Sequence, residues 1–245
     1  MEMDLIYILG TGSKWENNEI RYSLRSVEKH VKGLDRVFII GELPVFLQPS
    51  DKLIHIHCAD SSQDKAVNIM RKLKVACMDE RISERFMFFN DDYFMFKNIE
   101  IESYPYYHKC DLDLTEKINL SAYHYHVVST NNLLKSKGLR NMNFDIHKPI
   151  IYEKKLLNDI IDGTNWNLPI GEGHIMRSLY CNTLGIVGSY KKDNKQVRPL
   201  SLNDWQQLII NDDVDCLSIE DRACTDSFHA FMQYSFPTQS PFERL

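Results

Sequence analysis

Phe86-Met87-Phe88-Phe89-Asn90-Asp91-Asp92-Tyr93-Phe94-Met95-Phe96 sets two adjacent carboxylates inside an otherwise apolar stretch. Phe86 to Phe89 shows no polar alternation, so it reads as a strand covered on both faces, as in a parallel sheet with helices on either side. In open α/β sheets ligands gather beyond the carboxyl ends of the strands, and Asp91 and Asp92 follow this strand directly. Two ionised neighbours repel each other. A hard divalent cation relieves that repulsion, and Mg²⁺ and Mn²⁺ both suit oxygen ligands and diphosphates. The competing reading is an Asx turn whose carboxylates only satisfy nearby backbone N–H groups.

Working outward toward the N-terminus, the alternation of runs and periods continues. Ala66, Ile69, Met70, Leu73, Ala76 and Cys77 recur at helical period, and Lys65, Arg71, Lys72 and Lys74 fall largely outside that stripe as a solvated charged face. Val37 to Ile40 and Leu53 to Ile56 read as strands separated by a turn region containing Pro44 and Pro49. Ile20, Leu24, Val27 and Val31 form the stripe of a further helix, with Asn17 or Asn18 as the expected cap and Glu19 favourable in its first turn. Asp4 to Leu9 is the expected first strand, followed by the loop Gly10 to Asn18.

Toward the C-terminus the pattern is less regular. Leu120 to Leu134 and Ile175 to Tyr180 read as helical, Pro149 to Tyr152 as extended and Leu184 to Val187 as a strand. No repeat or linker divides the chain. The expected fold is therefore α/β, a single domain over residues 1–245 with a mostly parallel central sheet flanked by helices.

With 43% hydrophobic residues in 245, the chain is long enough to bury a large core. Its net charge of −5 does not supply the field that binding a nucleic-acid backbone needs, so no nucleic acid is expected as partner. No basic n-region precedes the first apolar run and no stretch reaches the length of a membrane span, so the expectation is a cytoplasmic protein without an integral membrane segment. The six cysteines show no C-x-x-C spacing, which fits reduced thiols. The sequence carries no sign of an oligomeric state.

Asn18 to His30 (NEIRYSLRSVEKH), then VFII, then FMFFNDDYFMF resemble the second conserved region of the Stealth family of sugar-phosphotransferases. The likeness continues in order. FDIHKPIIY at Phe144 to Tyr152 looks like the family's third region, SLYCNTLGI after Arg177 like its end, and CLSIED at Cys216 to Asp221 with FPTQSPFE at Phe236 to Glu243 like the fourth. Two departures stand out. Tyr7 to Ser13 lacks the aspartate of the family's first region, and Glu220-Asp221 replaces an Asn-Asp pair. The resemblance implies a core similar to the GT-A glycosyltransferases, a nucleotide-diphosphate-sugar donor, a divalent metal, and transfer of sugar-1-phosphate to a hydroxyl of a glycan or small acceptor in surface or capsular polysaccharide synthesis. It puts Asp91 and Asp92 on the acidic pair, His147 on the histidine of the third region and Arg177 on its downstream arginine.

Chemistry supplies matching roles. Gly10 and Gly12 let backbone approach a ligand, with hydroxyls from Thr11 and Ser13 beside them; Trp15 stands where a third dinucleotide-fingerprint glycine would be. Arg21 and Arg25, one turn apart near a helix start, suit a diphosphate, against the alternative of ion pairs on the protein itself. His147 is the expected base for the acceptor hydroxyl. Arg177 is expected to balance charge on the phosphoryl group, and Glu172 is the one acid close to it in sequence. His55-x-His57 and His124-x-His126 are rejected as metal ligands because a third ligand is lacking, and an i, i+2 pair diverges on a helix. Tyr104, Tyr106, Tyr107 and His108 suit either stacking on a sugar or packing at a sheet edge.

The expected activity is metal-dependent transfer of a sugar-1-phosphate, or of the sugar, in which Asp91 and Asp92 hold the donor diphosphate through the ion. The competing classes are a noncatalytic nucleotide-sugar or glycan-binding module, and a metal-dependent phosphodiesterase acting with water alone.

Overall fold

The computed structural model describes residues 3–115, 121–166 and 173–244. Met3–Leu9 (β1) is followed by Asn18–His30 (α1), Leu34–Gly41 (β2), Leu53–Ile56 (β3), Lys65–Met78 (α2), Arg85–Phe89 (β4) and Tyr93–Met95 (β5). The later part contributes Ala122–Ser136 (α3), Ile150–Glu153 (β6), Lys154–Asp162 (α4), Met176–Thr183 (α5), Lys195–Gln196 (β7), Leu202–Asn211 (α6), Cys216–Ile219 (β8) and Asp226–Ser235 (α7).

Five strands form the main sheet in the order β6-β4-β1-β2-β3. β1 to β4 are parallel and β6 runs antiparallel at the edge beside β4, so the sheet is mixed. The chain leaves β1 toward β2 on one side and, after α2, returns to the other side of β1 as β4. Strand order therefore reverses between β1 and β4, and a crevice opens beyond their carboxyl ends. The loop Gly10 to Asn17 leaves β1 there, and Asn90-Asp91-Asp92 leaves β4 there.

Both faces of the sheet are covered. Leu5, Tyr7, Leu9, Met87 and Phe89 pack with Ile20, Leu24 and Val27 of α1. Ile6, Phe86 and Phe88 pack on the opposite side with Met70 and Leu73 of α2, Leu157 of α4 and Leu179 of α5. This two-sided burial is the reason Phe86 to Phe89 carries no polar residue, and each such side chain contributes roughly 1.5–3 kcal/mol. A small second sheet, β7-β8-β5, packs Phe94 and Leu217 against Trp205 of α6 and Phe228 and Phe231 of α7.

Several local expectations need correction. Lys72 is not on a solvated face: it is 2% exposed, with its ammonium on the Leu9 carbonyl at 2.5 Å and on Asp60 at 2.6 Å. Asn17 precedes α1 in a left-handed conformation without capping it; the entry is held instead by Ser13, whose hydroxyl oxygen accepts from the Trp15 and Asn17 amides. Leu184 to Val187 is a turn, not a strand, with Gly185 at φ 67°. Leu120 lies outside the described residues, and the helix begins at Ala122. Asp64 caps α2 by accepting from the Ala66 amide at 2.8 Å, worth about 1 kcal/mol.

Among the described residues, which include all six cysteines, no disulfide forms. Among the described residues no helix is long and apolar enough to cross a membrane.

Candidate functional site

The crevice between β1 and β4 is a cleft of about 760 Å³. Gly10, Thr11, Gly12 and Ser13 line it from the β1 loop, Asp91 and Asp92 from the end of β4, and Glu220 and Asp221 from the end of β8. Four segments distant in sequence thus meet once the fourth, Asp60 to Asn68, is added from the loop after β3 and the start of α2. A Cβ at Gly10 would stand 2.9 Å from an Asp60 carboxylate oxygen, so the Asp60 side chain would have to shift. Gly12 is different: a Cβ would meet nothing within 4 Å, so its missing side chain opens space to the cleft alone.

Local hydrogen bonds fix the loop and the acids. Ser13 donates to Glu19 at 2.8 Å, drawing the first turn of α1 to the cleft wall. The Tyr93 amide donates to the Asn90 carbonyl at 3.2 Å, so the acidic pair occupies a tight turn between β4 and β5. Ser218 of β8 donates to one oxygen of Asp92 at 2.5 Å. Burial, and then the charges of Asp92 and Glu19, hold the Asp91 carboxyl far above the ordinary carboxylate range. No group of three or more potential ligands gathers for a metal among the described residues. Asp91 and Asp92 can therefore offer only part of a hard-cation shell, the usual situation where substrate phosphates complete it.

Cations also reach the cleft. Lys14 pairs with Asp221 at 2.9 Å and Arg222 with Glu220 at 2.9 Å, all on exposed side chains or nearly so. Lys65 and Lys195 line the cleft without an ion pair among the described residues. Lys72 closes its floor, already engaged by Asp60.

A second hollow of about 440 Å³ adjoins the first, and Gln63, Lys65 and Ile69 line both. Asn90 faces the hollow while its neighbours Asp91 and Asp92 face the cleft. Ile69, Leu73, Phe88, Tyr152 and Met176 supply an apolar wall. Asp64, His126, Asp145, His174 and Arg177 supply the polar part of the lining. His126 bonds Asp64 through Nε2 at 3.0 Å. His174 is pushed down to about 4, first by burial and then by the nearness of His126 and Lys137.

The residues singled out from the sequence are thus divided. Gly10, Thr11, Gly12, Ser13, Asp91 and Asp92 come together in the cleft. Arg177 lies in the adjoining hollow, 5% exposed, with its guanidinium on the carbonyls of Lys148 and Ile146 and over the rings of Phe88 and Tyr93. Its Nη2 is sealed from solvent and meets no hydrogen-bond partner among the described residues. Glu172 lies outside those residues. His147 lines neither void: Asp193 holds its Nδ1 at 2.9 Å, and Asp193 in turn pairs with Lys109 at 3.1 Å.

Arg21 and Arg25 do not reach the cleft either. Arg25 forks onto Glu243 through Nε at 2.7 Å and Nη2 at 2.8 Å, and Arg21 lies 3.7 Å from the same carboxylate and over the Phe46 ring. A buried glutamate from the C-terminal segment pairs with Arg25 and faces Arg21, as the ion-pair alternative has it. The tyrosine cluster is likewise packing: Tyr104 is buried edge-on to Tyr107, and Tyr106 bonds the Ile151 carbonyl. His55 bonds the Gly41 carbonyl at 2.9 Å.

Sequence reasoning passed over Asp60, Asp64 and Lys195, weighed His126 only as a metal ligand, and read Lys65 and Lys72 as part of a solvated face. A signal existed for the first two. Asp60 to Asp64 follows the parallel strand β3 just as Asp91 follows β4, so the same carboxyl-end rule points to it. No family model matches the chain, and no curated protein matches it.

Proposed function

We propose that the chain is a transferase that binds a nucleotide-diphosphate sugar in the cleft between β1 and β4 and passes its sugar-1-phosphate to a hydroxyl acceptor. One observation carries this reading. The Gly10–Ser13 loop and the Asp91-Asp92 pair share a single cleft with Glu220-Asp221, at the point where strand order reverses. The order of the motifs along the chain, which resembles the Stealth family with its GT-A-like core, supports the same chemistry.

Asp91 and Asp92 would hold Mg²⁺ or Mn²⁺, which when bound neutralises charge on the donor diphosphate and on the departing nucleotide. The residues fit such an ion, because burial and then the charges of Asp92 and Glu19 raise the Asp91 carboxyl, a cost that a cation relieves, and Asp92 is steadied by Ser218. Gly12 leaves room for a bulky group beside the β1 loop, and the Thr11 hydroxyl is at hand for a polar contact. Lys65 and Lys195 supply positive charge for the phosphates from opposite segments. Arg21 and Arg25 have no part in this arrangement.

The test is a panel of nucleotide sugars with Mg²⁺ or Mn²⁺, read by mass spectrometry for the released nucleotide. Release of nucleoside monophosphate is expected, and release of diphosphate would mean transfer of the sugar alone. Asp92→Asn should abolish metal-dependent donor binding and turnover. Unchanged binding and turnover in that variant would overturn the assignment.

A further inference from the structure

The hollow beside the cleft contains a pair built like a general base and its orienting acid. Asp64 is fixed twice, because its Oδ1 accepts from the Ala66 amide at 2.8 Å and its Oδ2 lies 3.0 Å from His126 Nε2. An ionised carboxylate only accepts, so Nε2 carries the hydrogen and Nδ1 is the basic nitrogen. Nδ1 bonds no described residue and is not among the sealed polar atoms. The His126 ring is itself held on α3, whose backbone is tied to the segment before α5: Thr130 donates to the His126 carbonyl at 2.7 Å and accepts from the Ile175 amide at 2.8 Å. This is the nucleophile-activating logic of a base whose second nitrogen is oriented by a carboxylate.

The void has room for a substrate. Its 440 Å³ falls within the roughly 300–1,000 Å³ of small-molecule sites. Lys65 and Arg177 balance Asp64 and Asp145, and His174 is neutral near neutrality, so the hollow favours no net charge. Lys65 and Ile69, one turn apart on α2, border both voids, and after β4 Asn90 borders the hollow while the next residue, Asp91, borders the cleft. A molecule in the hollow is therefore next to whatever the acidic pair holds.

Resting on the transferase reading of the cleft, we infer that this hollow receives the acceptor, an uncharged hydroxyl-bearing molecule with an apolar flank, and that His126, oriented by Asp64, removes its proton. In the step, the acceptor oxygen bonds to the donor's β-phosphorus and the bridging oxygen–phosphorus bond breaks. The electron pair leaves on the nucleoside monophosphate, and the hydroxyl proton passes to His126 Nδ1 and then to water. His147, held by Asp193 outside both voids, is not the base.

The experiment measures donor affinity and transfer separately. Hexyl glycosides of glucose, galactose and N-acetylglucosamine serve as acceptor probes, with nucleotide release and product mass as readouts. In the wild type at least one should accelerate nucleotide release above the rate with water alone. His126→Gln should bind donor with unchanged affinity and transfer on the order of 10²–10⁴-fold more slowly. Added imidazole should restore part of the rate to His126→Ala, which a purely structural role would not allow. Asp64→Asn, which keeps the helix cap, should slow transfer without affecting donor affinity. Donor binding with wild-type transfer in His126→Gln, no imidazole rescue, or no glycoside effect overturns the acceptor assignment alone. Failure of the wild type to bind any nucleotide sugar overturns the transferase reading and this inference with it.

Discussion

Arg25→Met separates a structural from a ligand-binding role for the first helix. The Arg25 and Glu243 side chains are 9% and 3% exposed and are joined by a two-pronged bond, with a further bond from Arg25 to the Phe236 carbonyl at 3.1 Å. Methionine keeps most of the stem's packing but leaves Glu243 buried without its partner, and breaking such a pair costs roughly 3–5 kcal/mol. Arg21, 3.7 Å away, and the Ser240 amide, 2.9 Å away, still face the carboxylate, which puts the expected loss near the lower end, about 3 kcal/mol. Glu243→Gln removes the charge from the other side. The double variant Arg25→Met/Glu243→Gln should then lose about 1–3 kcal/mol less than the two single losses added together. Urea denaturation measures these differences, and calorimetric titration with nucleotide sugar and Mn²⁺ below the transition should find donor affinity within about twofold of wild type. Stability within about 0.5 kcal/mol of wild type, together with a tenfold or greater loss of donor affinity, would refute the structural role and return Arg25 to the diphosphate.

Three further outcomes are expected. Gly12→Val should leave unfolding free energy within about 1 kcal/mol, since a Cβ there meets nothing within 4 Å, yet weaken nucleotide-sugar binding at least about tenfold; equal affinity would mean that no ligand lies over the β1 loop. His174 has its pKa pushed down to about 4 from 6.5, so protons favour the unfolded chain, and stability falls as pH drops from about 6.5 to 4. The loss amounts to about 3 kcal/mol, and His174→Gln should remove that part of the pH dependence in urea titrations at pH 7 and 4.5. Asp91 has its carboxyl raised, so its ionisation opposes folding, and stability drops as pH rises through the folded-state value. Asp91→Asn should gain on the order of 1–3 kcal/mol at pH 8 in EDTA, with the gain shrinking when saturating Mn²⁺ is added to the wild type; a destabilised variant would contradict the repulsion.

The central sheet was legible because its strands are covered on both faces. Phe86 to Phe89 is a run whose only environment is a sheet interior, and its structural bounds differ from the sequence reading by one residue. The acidic pair was legible for the same reason, as charge where apolar packing is otherwise continuous. The partner of Arg25 was not legible because it lies 218 residues away, and no local pattern announces such a pairing. Lys72 was misread because helical period describes a face as polar or apolar and cannot say that a polar position looks into a cleft floor. His126 was seen only as half of an i, i+2 pair, and the residue that gives it meaning, Asp64, comes 62 residues earlier in a different element.

The acid pair also shows how a chain can sustain a site that disfavours itself. β4 belongs to the main sheet and β5 to the small one, and only Asn90-Asp91-Asp92 joins them. Slipping either strand by one residue would carry the acids toward solvent, but it would also turn Phe88 and Phe89 onto the wrong faces. Phe86, Met87, Phe88, Phe89, Tyr93, Phe94 and Met95 are each at most 4% exposed, and together their burial is worth on the order of 10 kcal/mol or more. Repulsion between two close carboxylates amounts to a few kcal/mol at about 4 Å and an effective dielectric near 20. The flanking strands therefore decide where the acids sit, and the acids are free to be chosen for chemistry, which is why their removal is expected to raise stability while ending metal-dependent binding.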